Sequence, residues 1–187
     1  VNGDYKIDEE DRQIMGSGTP KGSLTMVNTF TYKGFSLMVD LNYTYGFKIM
    51  DITNSMLENR PLYSNNVKSI LNAWTPENQN TMIAALRLPS DNYFGENEKD
   101  SYMLHKGDFL RLRNISLSYT FTPKVIKALK IFDSLSVGVS AENLLVITKY
   151  PGYDPEVGAF NADSGQSIDF YAYPRPTTIT GNIKVVF

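Results

Sequence analysis

The stretch "TTITGNIKVVF", residues 177–187, decides the fold. Stepping back from Phe187 by twos gives Val185, Ile183, Gly181 and Ile179, while the alternate positions are Val186, Lys184, Asn182, Thr180 and Thr178. One phase is apolar and the other mostly polar, the period of two that belongs to a strand. Chain ends usually fray into polar residues that water can surround. Here the last side chain is a large aromatic, so an apolar medium is expected to cover that face as far as Phe187.

The same alternation recurs upstream. In residues 35–45, Phe35, Leu37, Val39, Leu41, Tyr43 and Tyr45 oppose Ser36, Met38, Asp40, Asn42 and Thr44. In 114–121, Ile115, Leu117, Tyr119 and Phe121 oppose Asn114, Ser116, Ser118 and Thr120. In 134–142, Leu135, Val137, Val139 and Ala141 oppose serines, Gly138 and Glu142. Residues 23–33 are less regular: Leu24, Met26, Phe30 and Tyr32 share a phase with Asn28, and Val27 falls among threonines. Strands are predicted at about 21–33, 34–46, 109–122, 134–146 and 174–187.

Composition removes several function classes. The 187 residues carry 18 basic and 20 acidic side chains, a net charge of −2. That balance gives no basic surplus for nucleic acid and no cluster for an anionic membrane surface. There is no cysteine, hence no disulfide framework or thiolate chemistry. No apolar run reaches the length of a transmembrane helix. Twelve tyrosines and ten phenylalanines stand against one tryptophan and one histidine. The chain opens on Val1 with neither methionine nor signal peptide, so it is read as processed or as a fragment.

A β-sandwich, such as a carbohydrate-binding or glycosidase module, alternates in the same way. Three features favour a transmembrane barrel. The end is apolar. Tyr43, Tyr45, Tyr119, Phe121 and Phe187 sit at strand ends, where barrels carry aromatic girdles. Connections alternate short and long: Lys33-Gly34 and 122–133 are short, whereas roughly sixty and about twenty-five residues separate the second from the third strand and the fourth from the fifth. On phase alone, Leu37, Val39, Leu117, Val137 and Ile183 face lipid, and Asp40, Ser116, Ser140, Asn182 and Lys184 face the lumen. Five strands cannot close by themselves, because open edges are prohibitive in hydrocarbon and the smallest such barrels have about eight strands.

The segments "NGDYKIDEEDRQIMGSGTP" (2–20), "NTFTYKGFSLMVDL" (28–41), "AWTPEN" (73–78), "GDFLRLRNISLSYTF" (107–121), "AENLLVITKYPGYDPEV" (141–157) and "YPRPTTITGNIKVVF" (173–187) identify a resemblance. In this order they resemble the C-terminal part of SusC/RagA-type TonB-dependent outer-membrane transporters. The resemblance implies an all-β fold, the last five antiparallel strands of a 22-stranded barrel with long extracellular loops. It implies an N-terminal plug, energy from TonB, a SusD-like surface lipoprotein over the mouth, and oligosaccharide or oligopeptide cargo. No enzyme chemistry is expected. Residues 1–20, 47–108 and 147–172 would be extracellular, and Phe187, with Val185, Ile183 and Ile179 behind it, would be an assembly signal. A siderophore or cobalamin receptor is the alternative with the same architecture and no lipoprotein lid.

Residues 1–11, "VNGDYKIDEED", resemble an EF-hand-type calcium loop read from its second position. Side-chain oxygens of Asn2 and Asp4, the Lys6 carbonyl and the Asp11 carboxylate would ligate the ion. Tyr5 stands where that loop has its turn glycine, and the alternative is a solvated acidic turn. Elsewhere His105 reads as a surface histidine, since no nucleophile or carboxylate stands at a telling spacing. Arg111 and Arg113 share the outward phase with Ile115 and read as solvated charges with exposed carboxylate partners, or as contacts for an anionic headgroup or sugar. Trp74 reads as a loop anchor or a sugar-stacking ring. The tyrosines of "KYPGYDPEV" and "DFYAYPRP" read as loop packing or as contacts to ligand or lid.

Overall fold

The computed structural model describes residues 9–58, 65–86, 101–129, 133–158 and 166–187. In chain order its strands are β1 (Gly22–Tyr32), β2 (Phe35–Tyr45), β3 (Lys48–Asp51), β4 (Leu104–Lys106), β5 (Phe109–Thr120), β6 (Ser134–Thr148), β7 (Ile168–Asp169) and β8 (Thr178–Val186). Helix α1 (Ile52–Leu57) follows β3, and α2 (Pro123–Leu129) lies between β5 and β6. The long strands form one antiparallel sheet in the order β1-β2-β5-β6-β8. Spatial order equals chain order, as in an up-and-down barrel wall. No helix among the described residues is long and apolar enough to cross a membrane; the long strands have that reach, since about 9–11 tilted residues span a bilayer core.

The β1–β2 hairpin turns through Lys33 and Gly34, whose φ angles are +45° and +90°. Two left-handed residues in a two-residue loop match the twist of paired strands. At Gly34 a Cβ would come within 2.6 Å of the Thr120 carbonyl oxygen, so the close approach of β5 also requires glycine.

Pairing lines up the two phases across the sheet. One row runs Phe35, Tyr119, Val137, Ile183 and the next Leu37, Leu117, Val139, Gly181. The neighbouring rows on the opposite face are Ser36, Ser118, Gly138, Asn182 and Met38, Ser116, Ser140, Thr180. The first face is openly apolar, with Phe30 61%, Ile179 70% and Ile183 73% exposed. Aromatic rings gather at both of its ends. Tyr43 and Tyr45 stack at the end bearing the long connections, and Phe35, Tyr119 and Phe121 pack in series at the short-turn end.

One irregularity corrects the expected phase of the arginines. Asp40 pairs with Asn114 and Leu41 with Leu112, so Arg113 is an extra residue on β5. On the other side Asn114 pairs with Glu142 and Leu112 with Leu145, leaving Asn143 and Leu144 opposite that one position. Asn143 takes φ +51°, which asparagine tolerates better than most residues. This β-bulge shifts the alternation by one residue. Arg111 therefore pairs with Asn42 on the polar face, and Leu110 and Leu112 take the apolar one.

The long connections build a cap at one end. There β3 pairs antiparallel with β4 and parallel with β7, in the order β4-β3-β7. Phe47, Ile49, Phe109 and Tyr150 form a buried cluster, with Val146 and Val157 packed against it. The main buried core thus lies beneath the cap rather than between two large sheets.

Candidate functional site

Three places concentrate chemistry: the last strand, the polar face beneath the cap, and the cap itself. On β8, Ile179, Ile183 and Val185 pair with Ala141, Val137 and Leu135 of β6. Val185 is half-buried, whereas Phe187 is 82% exposed beyond the last pair. β8 is an outer strand of the sheet, and its approach is tied to the bulge: Asn143 Nδ2 donates to the Pro176 carbonyl, and Thr177 Oγ1 to the Asn143 carbonyl.

On the polar face, Asn42 Nδ2 donates to Ser23 Oγ and Thr25 Oγ1, each at 3.0 Å. Ser23 also meets Thr44. Above them the 150–157 segment folds back onto the sheet. Arg111, 2% exposed, donates through Nη2 to Asp154, itself 5% exposed. Its Nε lies 2.8 Å from Glu156 Oε2, a charge contact whose angle makes it no hydrogen bond. Glu156 also faces Arg113 at 3.2 Å and Arg175 at 3.5 Å. Arg113 reaches Asn42 Oδ1 at 3.4 Å, which puts its guanidinium over the polar face. The Asp154 carboxylate further accepts the backbone N–H groups of Glu156 and Arg175. The expectation of solvated arginines is thus corrected for Arg111, a buried clamp holding one connection to the wall, while Arg113 is exposed. A buried guanidinium is tolerable only because its forked donors meet carboxylates directly.

In the cap, two buried carboxylates lie side by side. Asp51 and Asp169 are 3% and 4% exposed and are register partners in the β3–β7 pair. Asp51 Oδ1 caps α1 by accepting the Asn54 N–H at 2.8 Å. Asp169 accepts Thr53 Oγ1 at 2.8 Å and the Tyr150 hydroxyl at 2.7 Å. Burial pushes the Asp51 carboxyl above the usual carboxylate range; the Asn54 N–H opposes this, and the Asp169 charge adds to it. Burial, then the hydrogen bond to Asp169, drives the Tyr150 phenol well above its ordinary range. His105 is 26% exposed, its Nε2 lies 4.0 Å from Asp51 Oδ2, and its ring meets that of Tyr150 edge-on at 6.0 Å. The carboxylate that local spacing did not reveal is brought to His105 by the fold. Among the described residues, no three His, Asp or Glu side chains are arranged to hold a metal ion.

Of the proposed calcium ligands, Asn2, Asp4 and Lys6 lie outside the described residues, and Asp11 ends a short 3-10 turn, Glu9–Asp11. Trp74 is 43% exposed, and its backbone N–H donates to the Ile83 carbonyl beside a small turn closed by Thr75 and Asn78. Tyr150 is buried, while Tyr153, Tyr171 and Tyr173 are 81%, 55% and 96% exposed. Sequence reasoning missed Asp51, Asp154, Glu156 and Asp169. Their partners are distant in sequence, and the one local signal was acidic residues set among aromatics and prolines.

No family model matches the chain. Curated relatives do. The whole chain aligns with a TonB-dependent receptor of Formosa agariphila at 30% identity over 190 residues, covering 18% of that protein. It aligns with the TonB-dependent receptor SusC of Bacteroides thetaiotaomicron at 27% identity over 193 residues, 17% of that protein. The chain thus spans less than a fifth of the relatives it matches. Among solved structures, the RagAB peptide importer in its open-open state superposes with a TM-score of 0.76 at 28% identity, covering 94% of this chain and 18% of that one. The antiparallel sheet matches the β-barrel of RagA-type transporters.

Proposed function

We propose, from the premise that this chain is a barrel segment of a SusC/RagA-type TonB-dependent receptor, that it forms five wall strands of an active importer of large nutrients in the bacterial outer membrane. The carrying observation is the sheet's two unlike faces, one openly apolar between aromatic bands and the other polar, on a backbone similar to that of RagA. The apolar face meets lipid, and the polar face lines the lumen. The cap then stands at the extracellular mouth, and the Lys33-Gly34 turn and α2 stand in the periplasm.

The whole protein has about 22 strands and an internal plug. A SusD-like lipoprotein covers its mouth, its cargo is an oligosaccharide or oligopeptide, and TonB supplies the work of import. These strands carry wall, mouth and assembly functions and no catalysis. A calcium ion held by Asn2, Asp4, Lys6 and Asp11 belongs to the same reading and would order the segment leading into β1.

The test is purification of the full-length protein from outer membranes, followed by uptake assays. The expected result is detergent-dependent recovery, a copurifying surface lipoprotein, and uptake that stops when TonB is removed. Recovery from the aqueous fraction, or uptake unchanged without TonB, would contradict the proposal.

A further inference from the structure

The two long connections are clasped together by the parallel pairing of β3, from the β2–β5 connection, with β7, from the β6–β8 connection. That pairing sets Met50 opposite Ile168 and Asp51 opposite Asp169. Among the described residues, four titratable groups act on Asp51. Asp169 comes from β7, Tyr150 from the segment after β6, His105 from β4, and Glu58 from the end of α1. Glu58 is itself 4% exposed; its Oε1 accepts from Ser69, and its Oε2 has no hydrogen-bond partner. Lys48 and Lys106 pair with each other at the far end of the β3–β4 ladder. Two further carboxylates, a phenol and an imidazole therefore act on Asp51, in surroundings where like charges are poorly screened.

We infer that the β3–β7 clasp is pH-sensitive: it holds while the Asp51–Asp169 pair keeps a proton and loosens as both carboxylates ionise. Two adjacent buried carboxylates cannot both ionise without strong repulsion. The sign follows from linkage. The closed clasp raises the Asp51 carboxyl above the usual range, so it binds that proton more tightly than the opened clasp does. Its contribution is complete at acid pH and is lost as pH rises through the raised value. The His105 imidazole beside Asp51 works against the burial and draws that carboxyl down, but burial is the larger influence. The clasp rests on the β3–β7 pairing and its two buried carboxylates, so it stands or falls separately from the import reading.

The experiment is hydrogen exchange of the full-length protein in detergent micelles from about pH 4, the ordinary carboxylate value, to about pH 8, corrected for the chemical rate. The wild type should show opening of residues 48–58 and 166–172 that rises several-fold with pH, while β5 and β6 stay level. Asp51→Asn keeps the oxygen that caps α1 but removes the charge. It should flatten the profile and leave the clasp better protected than wild type at pH 8. A purely structural role would instead make Asp51→Asn less protected at every pH. A level wild-type profile, or an Asp51→Asn profile parallel to wild type, would overturn the inference. Should Asp51→Asn fail to assemble, Asp169→Asn removes the other charge and should make the profile shallower; an unchanged slope there would also overturn it.

Discussion

Arg111 shows what one inserted residue does to a side chain's fate. Counting by twos from Ile115 puts it on the apolar face; the bulge at Arg113 moves it opposite Asn42 and under the 150–157 segment. Nothing in "FLRLRNIS" marks the bulge, because its other half is Asn143 and Leu144 on a strand joined by a separate helix-bearing connection. Arg111→Ala leaves Asp154 and Glu156 without their buried cation, and should cost about 3–5 kcal/mol of loop docking. Arg113 is 43% exposed, and Arg113→Ala should cost about 1 kcal/mol or less. Protease cleavage within residues 149–158 of the full-length protein measures both. Equal cleavage in the two variants would deny the clamp. The calcium proposal also belongs to single residues. Asp4→Ala and Asp11→Ala should increase cleavage near residues 1–15 without unfolding the barrel, and chelator should do the same to wild type. Cleavage indifferent to both would leave a solvated acidic turn.

At the scale of elements, legibility followed length. The long strands announced themselves because eight or more alternating residues are hard to produce by chance. Strands β3, β4 and β7 have four, three and two residues, too few for a period, so the cap could not be read. Its hydrophobic cluster also draws one or two residues from each of several segments, which no window collects. The terminal strand is the element with the clearest consequence. Ile179, Ile183 and Val185 contribute apolar surface along one edge strand, and Phe187 extends it past the last pair. Burying one such ring is worth about 1.5–3 kcal/mol, too little to unfold a large barrel. Its loss should matter during assembly, when an edge strand must be captured before its backbone is satisfied. Deleting Phe187 should therefore lower the number of inserted copies while uptake per inserted copy stays near wild type. Substitutions at Val185, Ile183 or Ile179 should have smaller effects. Normal copy number with reduced uptake per copy would contradict this role.

For the whole molecule, the five strands make sense as part of a closed wall. Both outer strands, β1 and β8, need partners, and the relatives are more than five times longer than this chain. On the proposed reading the faces divide labour, apolar rows toward lipid and polar rows toward the interior, with a cap over one end in which two connections are paired and one is held by Arg111. The most direct measurement is thiol accessibility in the full-length protein held in outer membranes. Leu117→Cys and Ser116→Cys are adjacent, and their strand rows lie on opposite faces. A lipid-dissolved maleimide should label position 117 and spare 116, and a membrane-impermeant reagent admitted to the lumen should label 116 and spare 117. The reverse pattern, or both positions labelled alike by the water-borne reagent, would contradict the barrel wall.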